Sequence, residues 1–144
     1  MSRVVYMLGH SNHDWRSFVA LLEKHEIGKL IDVRTSPYSR LPHFCSGFLR
    51  RTLPEGMYEH WPALGGLKRF DERAVRRGVR QLLHGANGSR LCLMCSEGDY
   101  RACHRHTLLT PIVRSLAWRV MQIDRSGALT EDYGPRSQKR GLFS

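Results

Sequence analysis

The stretch RVVYMLGHSNHDWRSFVALLEKHEIGKLIDV, residues 3–33, decides the fold. Arg3–Leu8 is a short apolar run broken at once by Gly9-His10-Ser11-Asn12. That is the pattern of a buried strand opening onto a polar loop. Asp14 is a good N-cap, and Trp15, Phe18, Val19 and Leu22 then recur at i, i+3, i+4 and i+7, which predicts an amphipathic helix. Gly28 is placed to end it. Lys29–Val33 reads as a second buried strand, closed by Arg34-Thr35-Ser36-Pro37. A strand, a helix and a strand in this order imply a parallel pair joined by a right-handed crossover.

Working outward, Tyr38–Leu67 has no clean period and is expected to hold loops and one short helix near Ser46–Arg51. Phe70–His84 is helical in pattern. Val75, Val79, Leu82 and Leu83 share one face, and Arg73, Arg76, Arg77 and Arg80 fall within about 100° on the other. Arg90–Met94 is a third buried strand. A helix follows from about Ala102, with Leu108, Leu109, Ile112, Val113 and Leu116 on its apolar face. Pro111 does not suit a helix interior, so either the helix kinks or Thr110 caps a second one with Pro111 at its first position. Arg119–Ile123 is a fourth strand. Strands alternating with helices predict a mostly parallel sheet covered on both faces. Residues 1–133 make one domain, and 134–144 form a basic tail with Arg136, Lys139 and Arg140, expected to be flexible.

At 144 residues the chain has room for one domain with a real core. No apolar run reaches bilayer length and the start lacks a signal-peptide pattern, so no membrane partner and a cytoplasmic location are expected. The four cysteines are then expected to be reduced. The unusual total is a net charge of +10, which favours nucleic acid, a nucleotide or another polyanion as partner. The arginines of Phe70–His84 are either a solvated face or a phosphate-contacting stripe.

In parallel sheets, ligands bind at the carboxyl ends of the strands. The residues just past those ends are His10-Ser11-Asn12-His13, Arg34–Ser36, Cys95–His104 and Asp124. The loops at the opposite ends, Glu26–Gly28 and Gly85–Gly88, carry mostly turn chemistry. Cys95-Ser96-Glu97-Gly98-Asp99-Tyr100-Arg101-Ala102-Cys103-His104-Arg105 is poor core material taken together. A thiol held near a helix N-terminus beside His or Arg can be acidified. Cys95 to Arg101 also spells C-x5-R, the loop of cysteine phosphatases and sulfurtransferases, although Glu97 and Asp99 within it would repel a phosphate. Cys95, Cys103 and His104 with His10 or His13 could make a zinc site, but the spacing lacks the tight C-x2-C pairs of structural sites. No cofactor and no metal are assigned. Asp32 and Arg34, two apart on one strand, point to the same face and could meet each other or one ligand. Arg40 has the fork geometry for phosphate or carboxylate. Gly65-Gly66 allows a tight turn or close backbone approach.

Four groups of residues are read together: Gly9-His10-Ser11-Asn12; Asp32-Val33-Arg34 with Pro37, Ser39 and Arg40; Tyr58 with Leu64-Gly65-Gly66; and Cys95-x-Glu97 with Cys103-His104-Arg105. In this order they resemble the domain-of-unknown-function family numbered 488, from about Met7 to Gly127. The resemblance implies a Rossmann-like three-layer α/β sandwich with a mostly parallel sheet of about four to five strands. It also implies that the motif residues line one cleft, and it brings no reaction with it. His13 stands where an arginine is frequent, and Gln122 where a histidine often precedes the isoleucine of the last strand. Arg101 is not a hallmark.

The resulting expectation is an enzyme acting on a nucleotide or nucleic acid. Glu97 and His104 would be acid–base groups, the first with its pKa raised by burial, and Cys95 or Cys103 a nucleophile or positioning thiol. Arg34, Arg40 and Arg105 would hold phosphate. Ser11 and Asn12 would hydrogen-bond sugar or base, within a cleft also lined by His10, Asp32, Ser39, Tyr58, Gly65 and Gly66. Arg73, Arg76, Arg77 and Arg80 would add nonspecific affinity. Two other readings are a binding module without chemistry, and a thiol- or metal-dependent enzyme.

Overall fold

The computed structural model describes residues 3–65 and 71–135. Gly66, Phe70 and most of the basic tail lie outside the described residues. The elements run β1 (Val4–Gly9), α1 (Trp15–Lys24), β2 (Lys29–Asp32), α2 (Ser46–Thr52), β3 (Tyr58–His60), α3 (Glu72–His84), β4 (Leu91–Cys95), α4 (Thr110–Ser115), β5 (Arg119–Ile123) and β6 (Leu129–Glu131). They build one six-stranded sheet in the order β3-β2-β4-β1-β5-β6. All neighbouring pairs are parallel except β5–β6. This is the expected α/β, Rossmann-like sandwich. No helix among the described residues is long and apolar enough to cross a membrane.

The alternation of side chains along each strand sorts the core into two layers. Val5, Met7, Ile31, Val33, Leu91, Leu93 and Val120 meet Val75, Val79, Leu82, Ile112 and Val113 of α3 and α4. Leu8, Leu30, Cys92, Met94 and Ile123 meet Phe18, Leu22 and Leu49 of α1 and α2. Asp14 starts α1 as expected, its Oδ1 accepting the Ser17 amide at 2.8 Å. Asp71 does the same for α3 through the Arg73 amide.

Four details differ from the sequence reading. The sheet has six strands rather than four or five, because β3 and β6 are three-residue edge strands too short and too polar to show a period. β1 and β2 are parallel but do not pair, since β4 inserts between them. Gly28 does not cap α1. The helix ends at His25, Glu26 takes the left-handed turn with φ 52, and Gly28 instead gives its amide to Arg90 O. The helix expected from Ala102 is a short 3-10 turn at Tyr100–Ala102 and a π-helical turn at Arg105–Leu109 that runs into α4. Pro111 sits at the start of α4, where a missing N–H costs nothing.

The order of strands creates the cleft. The chain leaving β1 and β2 passes to the α1–α2 face, whereas the chain leaving β4 passes to the α3–α4 face. Because β4 lies between β1 and β2, its exit loop parts from both neighbours. Such a switch point opens a crevice at the carboxyl ends of the strands. Backbone bonds hold the crevice rim: His10 N donates to Cys95 O at 2.8 Å and Ser11 N to Ser96 O at 3.0 Å. Gly9 lies at the closest approach, and a Cβ there would overlap the Glu97 carbonyl and press on the Arg105 guanidinium. Gly9→Ala should therefore lower stability by about 2 kcal/mol or more, read as a lower urea midpoint at unchanged slope.

Candidate functional site

Cys95, last residue of β4, points to the α3–α4 face and is 3% exposed. Its Sγ lies 2.8 Å from Cys103 Sγ, and both thiols are free. Arg105, two residues further on, is 1% exposed. Its guanidinium donates to Cys95 Sγ at 2.5 Å, Glu97 O at 2.5 Å, Gly98 O at 3.3 Å and Gln122 Oε1 at 3.0 Å. Its amide donates to Cys103 Sγ at 3.5 Å. The π-helical turn delivers this arrangement. Arg105 O accepts from both the Thr110 amide and Thr110 Oγ1, which widens the turn and holds the Arg105 backbone beside the β4 exit. π-turns often mark functional positions.

The charge balance of this cluster is its main chemical property. A buried guanidinium needs a counter-ion. Among the described residues no carboxylate pairs with Arg105. Asp132 is reached only through Gln122, whose Nε2 donates to Asp132 Oδ2 at 2.9 Å. The groups left to carry the negative charge are the two sulfurs. The hydrogen bond to Cys103, and then burial, push the Cys95 thiol up. The hydrogen bond from Cys95 lowers Cys103, burial opposes it, and His104, the Arg105 amide and the Arg105 charge add to the lowering. The balance favours the negative charge on Cys103 and the proton on Cys95. Thiol acidity beside Arg and His was anticipated, but the arginine over Cys95 is Arg105. Arg101 points to solvent and pairs with Asp99 at 3.3 Å, so the C-x5-R stretch does not form a phosphate cradle closed by its arginine.

On the other face of β2 a second network forms. Arg34 binds Asp32 with two bonds, Nε to Oδ1 at 2.8 Å and NH2 to Oδ2 at 2.7 Å. Tyr58 donates to Asp32 Oδ2 at 2.5 Å. Arg34 NH1 donates to His10 Nε2 at 3.2 Å, and His10 Nδ1 donates to Ser11 O at 2.9 Å. The ring is therefore neutral, stacked 4.3 Å from Phe44, with its pKa lowered to about 4 chiefly by burial. Asp32 and Arg34 do share a face, and they bind each other. Burial and the Asp32 bond raise the Tyr58 hydroxyl.

The two networks meet in a cavity of about 320 Å³ lined by Arg34, Tyr38, Cys95, Glu97, Cys103 and His104. His104 Nδ1 lies 3.6 Å from Cys103 Sγ, and its buried Nε2 has no partner among the described residues. Glu97 is exposed at the rim with Oε1 accepting the Asp99 amide at 3.2 Å, and not buried as expected. Tyr38, 73% exposed, presents its ring beside the opening. Other anticipated residues stand apart. Ser39 Oγ closes its own turn through the Leu41 amide at 3.1 Å, and Arg40 is exposed. Asn12 binds Arg125 on the β5 side. Gly65 is where a Cβ would strike Thr35 Oγ1. His10 and His13 are buried away from the thiols, and the described residues hold no group of three or more potential metal ligands. Arg76 is engaged with Ser115 at 3.1 Å and Glu72 at 3.8 Å, while Arg73, Arg77 and Arg80 are exposed. Sequence reasoning missed Gln122, Asp132 and Thr110, which orient Arg105. The one signal was a glutamine inside an apolar strand.

Fold and site together define an α/β sandwich protein with a buried pair of thiols beside an arginine at a switch-point cleft. Residues 14–74 match the model of the family described as domain of unknown function DUF488, and the resemblance drawn from the motifs holds over that span. The matched span contains Asp32, Arg34, Ser39, Arg40, Tyr58 and Gly65, and the Cys95–Arg105 segment lies beyond it. No curated protein and no solved structure matches the chain.

Removing Asp32 would leave Arg34 buried and unpaired. Asp32→Ala should cost about 3–5 kcal/mol in urea unfolding.

Proposed function

We propose that the chain is an enzyme whose chemistry is covalent attack by the Cys103 thiolate on a substrate seated in the strand-end cleft. The observation that carries this reading is the buried Arg105, whose nearest available counter-charge is the Cys95–Cys103 pair. A thiolate is the nucleophilic form of cysteine, and of the two sulfur residues lining the cavity Cys103 is the less buried. In the attack a bond forms from Cys103 Sγ to the electrophilic centre. The leaving group departs with its bonding electrons and takes a proton from His104, whose Nδ1 lies 3.6 Å from Cys103 Sγ. Water then bonds to the same centre through its oxygen and passes a proton to His104, while the bond to Cys103 Sγ breaks with its electrons returning to sulfur. The exposed Tyr38 ring beside the cavity, on which a base can stack, favours a nucleotide or a nucleic-acid end as substrate. Glu97 at the rim serves orientation or proton exchange with solvent.

Two experiments test the reading. Alkylation of Cys103 by iodoacetamide should stay fast as pH falls from about 8 to about 6, where an ordinary thiol with pKa near 8.5 slows about tenfold per unit. Peptide mapping would assign the label. A rate at Cys103 that follows the ordinary thiol curve would remove the proposal. Secondly, the sulfurs need to move together by less than about 1 Å to reach disulfide bonding distance. Excess oxidised dithiothreitol should therefore accept two electrons from the pair, joining Cys95 to Cys103 and leaving Cys45 and Cys92 as thiols. Reduced dithiothreitol should reverse this.

A further inference from the structure

The opposite edge of the sheet carries a feature that the thiol site does not use. Two contiguous cavities of about 630 and 350 Å³ lie at the amino ends of β1, β4 and β5 and share Arg3, Leu83 and Trp118 as walls. Arg90 and Tyr6 line the larger one, and Arg80 and His84 the smaller. Among the described residues no carboxylate lines either cavity. We propose that this groove is a binding site for single-stranded nucleic acid, with Arg3, Arg80 and Arg90 on phosphates and Trp118 and Tyr6 against bases.

The groove has both parts that such a ligand requires. Nonspecific single-strand sites combine cationic side chains along the backbone path with aromatic faces on which any base can stack. Among the described residues no ion pair or side-chain hydrogen bond occupies Arg3 or Arg80. Arg90 uses NH1 on His25 O at 2.9 Å and has Glu26 at 3.8 Å, an exposed pair of little strength, which leaves its other donors for a phosphate; it lies 5.8 Å from the Tyr6 ring centroid. Trp118 is half-buried. It follows Ala117, whose φ of 67 turns the chain from α4 into β5, so its indole packs on the core while remaining at the groove wall. Leu83 and Ala86 supply an apolar floor. A recessed, partly apolar groove admits unstacked bases, whereas a duplex would offer it only phosphates. The site lies a strand length from the thiol pair, about 17–20 Å, and is independent of what the thiols do.

The test is fluorescence anisotropy with labelled oligothymidylate and oligouridylate on the full chain. Binding is expected at low salt, with a log–log salt slope of about −2 for three phosphate contacts. The surface double variant Arg3→Ala/Arg80→Ala should weaken binding at least tenfold and flatten the slope to above about −1. Trp118→Leu should weaken it about tenfold through lost stacking, and the arginine variant decides the matter if the leucine variant does not fold. Arg73→Ala/Arg77→Ala, on the outward side of α3, should change affinity less than about twofold. The proposal is overturned by any of four results: no binding at low salt, binding that follows Arg73 and Arg77 instead, tighter binding of duplex than of single strand, or equal competition by a mononucleotide. Cys103 alkylation, measured on the same variants, should not change, so this proposal and the thiol reading fail separately.

Discussion

A guanidinium buried without a carboxylate is the constraint on which the rest of this structure depends. Arg105 lies at the junction of β4, β1 and β5, and each of its donors is directed at a named atom. Two of those atoms are backbone carbonyls of the β4 exit loop, which fixes that loop against Gly9. The third is Gln122 on β5, itself held by Asp132, which also accepts from His106, Thr110 and the Gly134 amide. Burial works against the charge on Asp132, yet these donors keep its carboxyl below the usual range. The fourth is the thiol pair. Neutral thiols would leave a desolvated cation without a counter-charge, which costs several kcal/mol. Ionisation of one sulfur relieves that cost, so the reactivity of the pair is coupled to the stability of the fold.

Much of this was readable from residue order. The apolar runs at β1, β2, β4 and β5, the Asp14 cap and the face of α3 follow from period and capping alone. So does the selection of the β4 exit, because reactive residues gathered at one set of strand ends. What could not be read has physical causes. The pairing order depends on long-range choice, and nothing local reveals that β4 would enter between β1 and β2. A three-residue edge strand such as Tyr58–His60 has too few positions to alternate. The identity of the arginine over Cys95 turned on a π-turn that a helical reading treats as ordinary α-helix. There Arg105 faces inward and Arg101 outward. Glu97 looked buried by neighbourhood and proved to be a rim residue, since the loop after Cys95 turns outward at Ser96. The Asp32–Arg34 pair was legible from parity. Its partners Tyr58 and His10 come from different strands and required the fold.

The two edges of the sheet divide the chemistry. At the carboxyl edge, polar groups are satisfied by one another, and among the described residues the one buried side-chain nitrogen or oxygen left without a partner is His104 Nε2. At the amino edge the loops are turns, as their composition suggested, but the residues flanking them are arginine and tryptophan. Turn chemistry in a loop says how the backbone reverses and nothing of what stands beside it.

This division also bears on the charge. A net of +10 spread evenly would give weak, undirected attraction. Arg34 and Arg105 are neutralised inside the protein, and Arg76, Arg101 and Arg119 have acidic partners. The excess therefore falls on exposed positions away from the thiol cleft, including Arg3 and Arg80 beside Trp118. A substrate reaching Cys103 meets Glu97 at the rim and a guanidinium already committed to sulfur. On the proposed readings, long-range attraction and covalent chemistry are supplied by different arginines. Screening by salt should weaken the first while leaving the second intact, because a buried pair is shielded from counter-ions that an exposed groove is not.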